Sequence, residues 1–158
     1  MATLNVTITE SCTLNGKDQG GTYASFSNSS ITQITKKIVK CLVNVETPLY
    51  QTGDGLADSV GGATYKEGSV KYVRITNNAS SNYIVLTIKN ITNNDVYYKL
   101  APKESFLLHS HEGSLAVGAD ADDGVAASFD DDNSDIEYVA CEAITGASEV
   151  EVFIASID

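Results

Sequence analysis

The chain has no tryptophan, one methionine and only two prolines in 158 residues. No run of about 18 apolar residues occurs, so the sequence offers no membrane-spanning helix. Lys and Arg number ten, and none lies beyond Lys103. Cys12, Cys41 and Cys141 are too far apart for any CxxC, which excludes a zinc knuckle and a thioredoxin-type redox motif. GxxxxGK(S/T), GxGxxG and GxSxG are all missing, so nothing points to nucleotide binding or to a serine nucleophile elbow. The opening MATLNVTITES has neither a basic segment nor an apolar one, and no secretory signal is expected. Reduced thiols that pack as small apolar residues are then the expectation for all three cysteines. The Asn-x-Ser/Thr sequons at Asn5, Asn28, Asn78 and Asn90 would matter only in a secretory pathway.

What is present is charge of one sign, placed unevenly. The formal net charge is −11. Up to Lys103 there are ten basic and seven acidic residues; from Glu104 onward there are fourteen acidic residues and no basic one. Such a half is repelled by phosphate backbones and anionic headgroups, so neither a nucleic acid nor a membrane is expected as partner. The length suits one domain, residues 1–158, with enough buried surface to need no metal or disulfide.

The pattern of residues predicts an all-β chain: an antiparallel β-sandwich, jelly-roll-like, with little helix. Leu4, Val6 and Ile8 alternate with polar residues, and Asn15-Gly16 and Gly20-Gly21 are turn signals. Ile84, Leu86 and Ile88 share one strand face, as do Val96, Tyr98 and Leu100. Further strands are expected over 70–76, 104–111, 136–142 and 149–157, with Pro102-Lys103 and Thr145-Gly146 at turns. Ile31, Ile34, Ile38, Cys41 and Val45 are spaced as on a helix, yet the stretch is rich in Ile, Val and Thr. It is read as a strand over 36–45 with a short turn before it. Residues 53–68 and 118–135 read as loops.

Two motifs invite chemistry. In LLHSHEG, His109 and His111 share one strand face, which is how a strand offers two imidazoles to a metal. The pair resembles part of the cupin signature, but Glu112 follows at once and alternates to the other face, and no third ligand is identifiable. The reading is an exposed strand end, with no metal, cofactor or catalytic residue assigned. The acidic run from Asp120 to Asp135 lacks the glycine and the glutamate that a calcium loop needs at its sixth and twelfth positions. It is read as a solvated loop. Tyr72, Tyr83, Tyr97 and Tyr98 could form a sugar platform, although tyrosines in strands more often pack across them.

TLNGKDQGGT (Thr13 to Thr22), KKIVKC (Lys36 to Cys41), VKYVRITN (Val70 to Asn77) and LAPKESFLL (Leu100 to Leu108) occur in that order. Together they resemble a group of small β-rich virion proteins of tailed, particularly marine, bacteriophages. The resemblance implies a non-enzymatic structural component of a phage particle. The resemblance does not say where on the particle. A small sandwich without enzymatic motifs and with an acidic part repelled by packaged DNA gives the expectation of a head decoration or cement protein on the outer capsid surface, made in the host cytoplasm. Its partners would be the major capsid protein and copies of itself, in a homotrimer. The near-neutral N-terminal part would meet the shell and the acidic run would face solvent. The alternatives are a head-fibre or tail-associated carbohydrate-binding module and, third, a cupin-like metal-dependent enzyme.

Overall fold

β-branched and aromatic residues at alternate positions fill most of the chain, and the chain responds by forming strands. The computed structural model describes residues 1–52, 63–66, 68–90, 95–108 and 136–157. Among these are thirteen strands and no helix. They are β1 (Ala2–Glu10), β2 (Thr13–Leu14), β3 (Lys17–Asp18), β4 (Gly21–Ile31), β5 (Gln33–Cys41), β6 (Thr47–Thr52) and β7 (Ala63–Tyr65). There follow β8 (Val70–Asn77), β9 (Ile84–Asn90), β10 (Asp95–Leu100), β11 (Ser105–Leu108), β12 (Ile136–Ala143) and β13 (Ser148–Ser156).

Two sheets face each other across one core. The first has the order β10-β9-β12-β6-β7 and the second β11-β8-β13-β5. All pairings within them are antiparallel except β6 with β7. Ile84, Leu86 and Ile88 of β9 meet Ala143, Cys141 and Val139 of β12 in register, and all six are buried. From the second sheet Val73, Ile75, Val150, Val152 and Ile154 complete the same cluster. This is a β-sandwich, as the alternation in the sequence requires.

Asn77 ties the loops at one end of the sandwich. Its buried side chain donates to the carbonyls of Asn82 at 2.8 Å and of Leu100 and Ala101 at 3.2 Å. It also accepts from the Ala79 amide at 3.1 Å. A buried amide with this many partners is satisfied rather than costly. Next to it, Pro102 and Lys103 make the expected turn, with Lys103 at a φ of 66° and Glu104 N bonded to Ala101 O at 3.2 Å. Asn15 and Gly16 likewise turn at φ 53° and 75°.

Four expectations need correction, the first being the loop read over 53–68, which contains β7 paired to β6 with Tyr65 buried in the core. The strand expected over 36–45 runs over Gln33–Cys41, and the chain leaves it through Asn44 at a φ of 53°. Its helix-like spacing is accidental: Ile34 and Ile38 lie on an exposed face, while Cys41 is in the core. Gly20-Gly21 is not a turn, since Gly21 starts β4 and Gly20 lies against the backbone of Glu10. Cys12 is exposed, whereas Cys41 and Cys141 are buried. His109, His111, Glu112 and the run from Asp120 to Asp135 lie outside the described residues.

Candidate functional site

β1 to β4 stand apart from both sheets. β1 pairs with β4 from Ala2 opposite Ile31 to Glu10 opposite Gly21, and β2 and β3 close the tip. Gln19 N reaches Cys12 O at 2.7 Å between these two ladders. The whole is one long two-stranded arm folded back at Asn15-Gly16.

Among the described residues, the arm is docked only at its base. Leu4, Val6, Phe26 and Ile31 pack on Tyr72, Leu107, Phe153 and Ala155, which form the outer face of the second sheet. Phe26 stacks on Tyr72 with ring centroids 6.2 Å apart, and Tyr72 meets Phe153 edge-on at 5.9 Å. Burial under the arm raises the Tyr72 phenol's pKa above its usual value. A register shift then interrupts the ladder between Val6 and Thr7. Such an irregularity bends and twists a strand. From Thr7 to Gln19 every residue is exposed. At about 3.4 Å per residue, the stretch from Thr9 to Asn15 is a ribbon of about 20 Å. Near its tip Leu14 is 61% exposed, and Tyr23 of β4, opposite Ile8, is 58% exposed.

Between β1 and the sheet lies an open groove of about 510 Å³. One wall is the β1 segment from Leu4 to Ile8; the floor includes Lys36, Arg74, Leu107 and Phe153. Charge on the floor is paired. Glu151 binds Arg74 Nη2 and holds Lys36 Nζ at 3.3 Å. The hydrogen bond from Lys36, then the charges of Lys36 and Arg74, hold the Glu151 carboxyl below the usual glutamate range. The Arg74 guanidinium lies 5.8 Å over the Phe153 ring, and its Nε is buried without a hydrogen-bond partner among the described residues. The groove is therefore amphipathic: an apolar floor carrying the Glu151 ion pairs on one side and the β1 segment on the other.

The tyrosines named from sequence do not converge. Tyr72 is under the arm, and Lys99 covers the Tyr83 ring at 4.2 Å. Tyr97 is 66% exposed and bonds Asp95 at 3.1 Å, while Tyr98 leans on Phe106 with centroids 5.2 Å apart. Cys41 and Cys141 touch across the core. Cys141 is the thiol whose ionisation is suppressed, first by its hydrogen bond to Cys41 and then by burial. Among the described residues no group of three or more His, Cys, Asp or Glu is placed to hold a metal ion. Nor is any described helix long and apolar enough to cross a membrane. The chain matches no family model, and no curated protein or solved structure is significantly similar to it.

The arm went unread in the sequence because its alternation is that of any half-buried strand. A signal was available elsewhere. Strands β8 and β13 carry apolar residues on both faces (Tyr72 with Val73, Phe153 with Ile154), and strands of that kind need a cover on each side.

Proposed function

We propose that this chain is a virion structural protein, a head decoration or cement protein that holds a capsid surface through its N-terminal arm. The carrying observation is the arm itself, docked at its base, with a mostly polar exposed end that still presents Leu14 and Tyr23 to solvent. A two-stranded ribbon is marginal in water on its own. Leu14 and Tyr23 therefore gain most where a neighbouring protein covers them.

The strand order supports the same reading. Counting β5, β6, β8, β9, β10, β11, β12 and β13 as first to eighth, the sheets run 6-3-8-1 and 5-4-7-2, with β7 added at an edge. That order supports a jelly-roll reading of the sandwich, an architecture used in viral capsids, lectins and cupins. The resemblance of Val70 to Asn77 and Leu100 to Leu108 to phage virion proteins selects the first of these. A homotrimer fits a closed symmetric assembly and the local threefold positions of an icosahedral shell.

The test uses shells stripped of this protein. The full chain is expected to rebind, and a chain shortened by residues 2–29 is expected to lose binding while circular dichroism still shows the sandwich. Rebinding without the arm overturns the role of the arm. Imaging that finds the chain inside the head against DNA, or only at the tail tip, overturns the capsid-surface assignment.

A second reading rests on Tyr97, whose exposed ring beside Asp95 and Lys99 has the makings of a sugar-stacking face. A glycan array on the wild-type chain and on Tyr97→Ala decides it: saturable binding lost in the variant supports a carbohydrate-binding module.

A further inference from the structure

Cys41 is the last residue of β5 in the second sheet, and Cys141 lies in β12 of the first. Both side chains are fully buried in the same core cluster. Just beyond Cys41 the chain crosses to the first sheet, and backbone hydrogen bonds fix the crossing. Ala143 N donates to Leu42 O, and Asn44 N donates to Ala143 O, each at 3.0 Å. Together they make a parallel bridge between Val43 and Ala143.

Two residues back from that bridge, on each strand, stand Cys41 and Cys141. A step of two residues restores the facing direction, so both thiols turn into the core from the same side of the bridge. Cα atoms of β5 and β12 come within 8 Å of each other, and a disulfide spans about 4.4–6.8 Å between Cα atoms. The two sulfurs already meet in a hydrogen bond. Closing the bond shortens that contact to about 2 Å. Cys12, by contrast, is exposed on the arm between β1 and β2.

We propose that Cys41 and Cys141 form a disulfide that staples the two sheets together in an oxidising medium, with a small-molecule disulfide such as oxidised glutathione as the oxidant. The hydrogen bond from Cys141 holds the Cys41 thiol below its usual pKa, so Cys41 is the attacking group. It is also the easier of the two to reach. Cys41 ends a strand and Leu42 beside it is 44% exposed, so fraying of that strand end opens a path. The Cys41 thiolate attacks one sulfur of the oxidant, forms a mixed disulfide and expels one small thiolate. The Cys141 sulfur, giving up its proton, then attacks the Cys41 sulfur and expels the second. The protein loses two electrons and two protons, and the oxidant leaves as two thiols. The loop so closed takes in β6 through β11 and most of β12, so the bond constrains much of the unfolded chain. Held reduced, the pair packs as two small apolar groups, and the fold does not require the bond. The assignment stands apart from any role on a capsid.

Incubating the folded Cys12→Ser chain with oxidised glutathione, then digesting it without reductant, tests the site. The expected product has lost two hydrogens and yields one linked peptide pair carrying Cys41 and Cys141. Its unfolding in urea is expected to be slower than that of the reduced chain by about tenfold or more, and a reductant is expected to abolish the difference. Cys41→Ala and Cys141→Ala, each made in the Cys12→Ser chain, should take up at most one glutathione and gain no slowing. Refolding the Cys12→Ser chain in a buffer of reduced and oxidised glutathione supplies a second measurement, since there the thiols pair without any opening of a folded core. A native sandwich that keeps both thiols free under both conditions overturns the assignment. So does a linked chain that unfolds no more slowly than the reduced one, because the bond would then strain the fold instead of closing a pair already in place.

Discussion

Gly20 lies so close to Glu10 that a Cβ added to it would overlap the Glu10 carbonyl oxygen and stand 2.7 Å from the carbonyl carbon. The obstacle is backbone, which cannot rotate away. Gly20→Ala is therefore expected to cost the arm about 1–3 kcal/mol, the range for forced overpacking. Amide exchange should speed up across residues 2–31 and stay unchanged in β9, β12 and β13. Unchanged protection in the arm would show that the crossing is not tight.

Asn77 is the polar residue on which the loops at one end depend. Asn77→Ala is expected to lower stability by about 3 kcal/mol, because it leaves buried carbonyls without donors. Asn77→Asp should be worse at neutral pH, since its carboxylate would face the carbonyl oxygens of Asn82, Leu100 and Ala101. Urea midpoints for the two variants check the order, which a merely space-filling role for Asn77 would reverse.

Thiol accessibility separates the three cysteines. In the native protein a thiol reagent should modify Cys12 quickly and alone, with Cys41 and Cys141 reacting only on unfolding. Mass spectrometry at short times gives the count. Rapid labelling of Cys141 would show that the core opens far more readily than a packed sandwich should.

Glu151 gives the pH dependence its sign. Its pKa in the folded chain lies below that of an unfolded glutamate, because Lys36 and Arg74 favour the charged form. The stabilisation is therefore present above the unfolded value, about 4.3, and fades as pH falls through the lower folded value. Glu151→Gln should lose the difference: the gap in thermal midpoint between wild type and variant should be full above about pH 4.3, shrink below it and close as pH falls through the lowered folded value. A constant gap from pH 3 to pH 7 would sink the assignment.

The main sandwich was legible because its strands alternate cleanly. Ile84, Leu86 and Ile88 face the core as read, and so do Phe106 and Leu108, with Leu107 turned the other way. What Leu107 turns toward could not be read. Its cover, the base of the arm, is about a hundred residues earlier in the chain, and local periodicity carries no information about such distant partners. The same holds for the ion pair of Arg74 with Glu151. Each residue looks like an ordinary exposed charge until β8 and β13 are laid side by side. Ile34 and Ile38 mimic a buried helical stripe although both are exposed, and it was the Ile, Val and Thr content that marked the stretch as a strand.

The central place of β13 also decides when the second sheet can form during synthesis. β13 separates β5 from β8, so neither has its principal partner until the last strand has left the ribosome. The arm must wait as well, because Phe153 and Ala155 belong to its dock. For most of translation β5 has two unpaired edges and the nascent chain exposes Ile34 and Ile38. Lys36, Lys37 and Lys40 then act as gatekeepers, keeping polysome neighbours from zipping together before β13 arrives.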